Sequence, residues 1–410
     1  MIRLKGPTMA QLATPSEPVR HSRWARRARE AALAYAYITP ALIITLVFGL
    51  FPVFRAFYIS LHEWSIVKGA YVGLQNYRTL FHDPNVGKAF QVTIFYVIAT
   101  VPVTMMISLL LAYLLFQPIR YRALFRMLYF LPYVTALVPA AMVWQWIFNY
   151  QTGVLNFALQ GLSKAGASVL SFCGRPPVVY VWVALALVWL VHLLLTARRR
   201  TTLATSVWGI IAGLLFVLGL LFALRPAALT KLVEVMNTFF PVRWLQEPRG
   251  IILYLGRVFG FTPPSWLQGP SMALLAVSVV SMWHFTGYDV VIYMAGLYNV
   301  PPDLYEAARI DGATEGQVFW KITFPLLSPT NFFLLITSTI GAFRAFTMFY
   351  VLTDGGPLRT TTSVTFMIYE QFYNASRWGY ASALAVVLFV CILVLTLINQ
   401  RLAGSRVIYQ

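Results

Sequence analysis

Charge is scarce in this chain, and acidic charge is scarcest. Of 410 residues, 11% are charged, and 13 are Asp or Glu against 31 Lys or Arg. An ordinary soluble domain carries about a quarter charged residues. With 59% of the residues hydrophobic, no soluble core could hide the apolar surface, and the bilayer is the natural solvent. The two cysteines, Cys173 and Cys391, offer no readable disulfide framework, because Cys391 lies inside an apolar run. There is no A-x-A-like exit after the first apolar run, so no cleavable signal peptide is expected. There is no phosphate-cradling G-x-x-x-x-G-K-[ST] stretch, so the chain is not expected to hydrolyse ATP. Internal repeats, low-complexity tracts and acidic pairs are also lacking. This argues against an ion-gradient transporter built on inverted repeats and against a membrane glycosyltransferase. The formal net charge of +18 does not indicate nucleic acid as a partner, because the basic residues lie between apolar runs rather than in one stripe.

What is present is a series of long apolar stretches. About eight transmembrane helices are expected, near residues 34–60, 88–116, 123–148, 178–197, 203–224, 271–298, 327–351 and 380–402. Each approaches or exceeds the ~20 residues that cross hydrocarbon as a helix. Backbone groups in lipid must pair within their own segment, so an all-α polytopic membrane protein follows. Arg120, Arg122 and Arg126, then Arg198 to Arg200, then Arg401 and Arg406 mark alternate ends of these spans. They place the 1–33 and 403–410 tails in the cytoplasm. Residues 34–149 read as three spans. Residues 150–270 read as an external insertion with an extra hairpin and surface helices, and residues 271–402 as a transmembrane core with a cytoplasmic loop at 301–323.

That loop is the most informative part of the sequence. Pro301 and Pro302 stop the sixth span. Asp303 and then Glu306 have capping-box spacing, so Asp303 is expected to cap a short helix. Ala307 and Ala308 favour helix and allow close approach by a partner. Gly312 can adopt the positive φ that ends the helix. Thr314 and Gln317 repeat the capping-box spacing, and Pro325 is placed to kink the following helix. A helix, a sharp turn and a second helix on the cytoplasmic face make a surface suited to being gripped by another protein.

Glu306, Ala307, Ala308, Gly312, Ile322 and Pro325 fall at the spacing Glu-Ala-Ala, three residues, Gly, nine residues, Ile-x-Leu-Pro, with Phe324 in place of the usual leucine. The stretch resembles the EAA signature of the membrane subunits of binding-protein-dependent ABC importers. Trp283, the Pro302–Tyr305 run, Thr353–Pro357 and Gly379–Ala383 resemble the carbohydrate branch, the maltose-type first permease. The likeness covers 34–149 and 266–402 and fails over about 150–265.

The resemblance implies a six-helix importer core with an inserted hairpin. It implies a permease that moves a sugar, a di- or oligosaccharide, by alternating access, with glycerol phosphate as an alternative cargo. The implied partners are a second homologous permease, two copies of a cytoplasmic ATPase holding ATP and Mg, an extracytoplasmic binding protein, and membrane lipid. No cofactor or metal is expected in this chain. Glu306, Ala307, Ala308, Asp311, Gly312, Ile322 and Pro325 would form the coupling element. Compared position by position, the maltose-type permease contacts sugar from places matching Tyr133, Leu137, Ser281, His284, Phe285, Tyr288, Ser338, Gly341, Ala342 and Ala345. Ala342 and Ala345 replace asparagines and Leu137 replaces a serine, which points to a glycan other than maltose. The remaining ionisable group at depth in the seventh span, Arg344, is expected to pair with Asp289 or Asp354.

Overall fold

A computed structural model of the chain describes residues 21–117, 120–173, 242–253, 256, 261–262 and 269–404. Among the described residues the architecture is helical, apart from one antiparallel hairpin, β1 (His62–Trp64) and β2 (Lys68–Tyr71). The first helix, α1 (His21–Ile44), starts well before the expected span and continues through a π-helical turn, Thr45–Leu50, into α2 (Phe51–Ser60). After the hairpin come α3 (Gln75–His82), α4 (Pro84–Phe116), α5 (Arg122–Val134), α6 (Leu137–Ile147) and α7 (Val154–Cys173). The second half holds α8 (Met272–Tyr298), α9 (Pro302–Ile310), α10 (Glu315–Val318), α11 (Ser328–Phe343), α12 (Thr347–Thr353), α13 (Val364–Tyr369) and α14 (Trp378–Gly404).

Among the described residues, four helices are long and apolar enough to cross a membrane, and two bent pairs raise this to six. These correspond to six of the eight expected spans. The other two, 178–197 and 203–224, lie outside the described residues, as does most of the expected surface segment. The third span is not straight: α5 and α6 meet at 98°, because Pro132 ends the α5 ladder and Thr135 and Ala136 leave helical geometry. The kink expected at Pro325 exists as a 63° bend between Glu315–Leu326 and Ser328–Phe343. Its vertex is Leu327, after a π-helical stretch at Phe319–Thr323. The seventh span is shorter than expected: α11 stops at Phe343 and α12 resumes at Thr347.

Helix α4 organises the bundle. It starts at an Asp83 cap, whose Oδ1 accepts from the Asn85 amide at 2.9 Å, with Pro84 in the first turn. Three buried clusters meet on it: one with α13 and α14, one with α6, α8 and α12, and one with α8 and α11. Beside the apolar residues of these clusters it buries a run of hydroxyls and exposes apolar side chains. Thr93, Thr100, Thr104 and Ser108 are buried, whereas Ile98, Met106 and Leu110 point outward. Burying polar groups inward and exposing apolar ones is what a lipid solvent selects. Tyr380 of α14 donates to Asp83 Oδ2 at 2.9 Å, tying the last helix to the cap of α4.

Among the described residues of the inserted region, Asn156 ties the segment at Val242 back to α7. Asn156 of α7 donates to the Val242 carbonyl at 2.9 Å, and its Oδ1 accepts from the Val242 amide and the Trp244 indole. Residues 242–250 run through turns at that anchor, and 251–253 are helical.

Candidate functional site: a central polar cavity and an exposed helical loop

The polar cavity lies between α4, α5, α8 and α11 and has a volume of about 280 Å³. Its shape depends on a close approach. A Cβ at Gly287 would overlap the Tyr129 carbonyl oxygen, so only glycine lets α8 press backbone to backbone on α5. Ser108 adds an interhelical bond to the Thr286 carbonyl at 3.2 Å. This packing brings the Tyr133 and Tyr288 rings to 5.0 Å, with Tyr133 at the end of α5 just before the bend.

Of the residues marked by the resemblance, Tyr133, Ser281, Phe285, Tyr288, Ser338, Gly341 and Ala342 line the cavity. Leu137, His284 and Ala345 do not. Leu137 and Ala345 pack against the cluster around Tyr96 and Phe349. His284 is buried beside the Tyr133 and Phe285 rings, with Nδ1 unpartnered. The positions marked by the resemblance omit the α4 wall, Tyr96, Thr100, Val101 and Thr104, together with Asp289 and Thr337. The spacing of Thr93, Thr100, Thr104 and Ser108 along one helical face was the available signal. The expected ion pair of Arg344 does not form: Arg344 is exposed at the end of α11, and no described ion pair includes it, Asp289 or Asp354. The early end of α11 turns Arg344 out of the bundle.

Three of the hydroxyl protons around the cavity are committed to backbone carbonyls. Ser281 donates to the Val277 carbonyl at 2.9 Å, Thr100 to Tyr96 at 2.7 Å, and Thr337 to Phe333 at 2.8 Å. Each bonds one turn back along its own helix, which leaves the oxygen lone pairs as acceptors.

The loop follows α8. The expected Asp303 cap is not realised: Pro301 occupies the cap position without a side-chain bond, and Asp303 sits inside the first turn, favourable to the helix dipole. The reason is Pro302, which starts the helix two residues early with a fixed φ. The far end of α9 is as expected. Gly312 has φ +73°, the Ala313 amide donates to the Ala308 carbonyl at 2.9 Å, and the Gly312 amide donates to Arg309 at 3.1 Å. Together these bonds form a Schellman motif. Thr314 then makes a complete capping box: its amide donates to Gln317 Oε1 at 2.8 Å, and its Oγ1 accepts from the Gln317 amide at 3.4 Å.

Ala308 alone of α9 is buried. Glu306, Ala307, Asp311 and Gly312 are exposed, and Ile310 is 86% exposed. Ile322 lies half-buried in the π-helical stretch and Pro325 half-buried beyond it. The inner side of the loop rests on the end of α4. Glu306, Arg309 and Glu315 line a groove of about 470 Å³ with Tyr113, Phe116 and Tyr305. Tyr113 and Phe319 pack edge-on at 4.9 Å, and Arg126 of α5 bonds the Tyr298 hydroxyl. The loop and the Arg120–Arg126 segment therefore share one end of the bundle, with the β1–β2 hairpin at the other.

These features define a polytopic helical membrane protein with a polar cavity at depth and a rigid, outward-facing helical loop at one end. The chain belongs to the family of binding-protein-dependent transport system inner membrane components, whose model matches residues 70–407. It is similar to the trehalose/maltose transport system permease protein of Thermococcus litoralis, with 26% identity over 92% of this chain and 96% of that one. It is also similar to the sn-glycerol-3-phosphate transport system permease protein of Brucella abortus, with 27% identity over 92% and 96%. A lactose transport system permease protein of Rhizobium radiobacter is 24% identical over 91% and 94%. The fold matches that of a chain in the crystal structure of a bacterial ABC transporter involved in the import of the acidic polysaccharide alginate. The TM-score is 0.62 at 18% identity, covering 93% of this chain and 99% of that chain.

Proposed function

We propose that the chain is the permease of an ATP-driven sugar importer. A binding protein delivers the cargo, a second homologous permease completes the path, and two copies of a cytoplasmic ATPase, holding ATP and Mg, drive alternating access by pushing on the α9–α10 loop. The loop and both tails then face the cytoplasm. The supporting observation is the loop itself. Two short helices are fixed by a Schellman motif and a capping box, yet they present Glu306, Ala307, Ile310 and Gly312 outward. A loop made only to cover the bundle would turn its apolar residues inward. A ligand or partner shifts a two-state equilibrium only through differential affinity, and a stiff exposed lever lets ATPase closure act on the spans. Three relatives named for trehalose/maltose, sn-glycerol-3-phosphate and lactose support small glycans and polyols as the cargo class.

The test is purification of the membrane complex followed by reconstitution with its binding protein. Co-purification of an ATPase, cross-linking from Cys placed at Ile310, and uptake that requires ATP are expected. Uptake by this chain alone without ATP would refute the reading.

A further inference from the structure

Asp289 is the one acidic side chain on the cavity wall. It is 2% exposed, and its Oδ2 is buried without a hydrogen-bond partner. A buried polar atom left unpaired is costly, more so if charged, and ionisable groups at membrane depth normally face a wet path or a ligand. Donors in the lining are limited to neutral hydroxyls. The protons of Ser281, Thr100 and Thr337 go to backbone carbonyls, so these oxygens accept. No Lys, Arg or His lines the cavity. A phosphate or carboxylate brings negative charge, and no cation on this wall would compensate its burial beside Asp289. A polyol brings several O–H donors, and apolar ring faces that fit the paired Tyr133 and Tyr288 rings.

We infer that Asp289, on a wall of neutral hydroxyls without a cation, selects an uncharged, donor-rich polyol and rejects phosphorylated or uronic-acid cargo at the membrane step. The inference rests on the importer reading above and narrows its cargo.

The experiment uses the complete complex with its binding protein in proteoliposomes. The probes are trehalose, maltose, lactose, sn-glycerol 3-phosphate and alginate oligosaccharides, in the wild type and in Asp289→Asn and Thr337→Val variants. ATP-dependent uptake is expected for a neutral sugar and not for either anion. Asp289→Asn keeps the volume but replaces one acceptor oxygen with an NH2 donor. Its uptake should fall at least about tenfold, the size of losing one strong hydrogen bond. Thr337→Val should fall less, and both variants should still co-purify with the ATPase. Uptake of an anion by the wild type, or neutral-sugar uptake at the wild-type rate in Asp289→Asn, overturns the inference and leaves the importer reading standing. If Asp289→Asn does not assemble, undiminished uptake in Thr337→Val overturns it instead. Absence of ATP-dependent uptake for every probe counts against the importer reading itself.

Discussion

Replacing Gly312 isolates one physical quantity. The residue has φ +73°, and a Cβ built on it meets nothing within 4 Å. A substitution there introduces no clash within this chain, so its effect on the loop itself is conformational. An L residue held in the left-handed region costs about 1–2 kcal/mol, and a β-branched one lies at or beyond the upper end. Asn tolerates that region best among the non-glycine residues. If the strain relaxes by opening the turn, the Schellman bonds from Ala313 to Ala308 and from Gly312 to Arg309 go with it. The population of the built loop then falls by a factor of about 5–30. Uptake and ATP hydrolysis should be measured in the same proteoliposomes for Gly312→Asn, Gly312→Ala and Gly312→Val. The expected order of cargo moved per ATP is wild type, Asn, Ala, Val, with Val reduced by that factor and all variants inserting normally. A Val variant that couples as well as wild type would show that the built turn is not what the ATPase engages.

Further outcomes follow from other contacts. Gly287→Val forces α8 away from the Tyr129 carbonyl, so it should destabilise the bundle by about 1–3 kcal/mol or more. A thermal-unfolding midpoint of the purified protein that does not fall would contradict the close packing. Thr314→Ala removes one half of the capping box, about 1 kcal/mol. Amide exchange at Glu315–Val318 should speed up several-fold while α11 is unchanged.

The transmembrane architecture was legible because lipid enforces a simple rule. Long apolar runs must be helices, and six of the eight expected spans have described counterparts. The bends were less visible. Pro325 announced one, but the hinge settled at Leu327, because a proline removes the hydrogen bond of the preceding turn without dictating where the chain yields. The 98° turn after Pro132 gave no stronger signal than the tolerated Pro102 inside α4. In the loop, Gly312 and Thr314 read correctly because their chemistry is local. Asp303 did not, because Pro302 fixed the start of the helix first. The cavity was half legible. Aromatic and serine positions on α5, α8 and α11 stood out, whereas the threonines of α4 are scattered through a long apolar run and carry no motif. Arg344 was misplaced because a break in α11 cannot be read from hydropathy, and that break carries it to the surface.

The contact at Gly287 bears on how such a chamber can open. Two helices that touch through their main chains have no side-chain cushion over which to slide, so α5 and α8 are the tightest part of the wall. The opposite wall, α11, carries a crease at Leu327 next to the segment that ends in the loop. On the importer reading, that crease is where a push on the loop would reach the chamber.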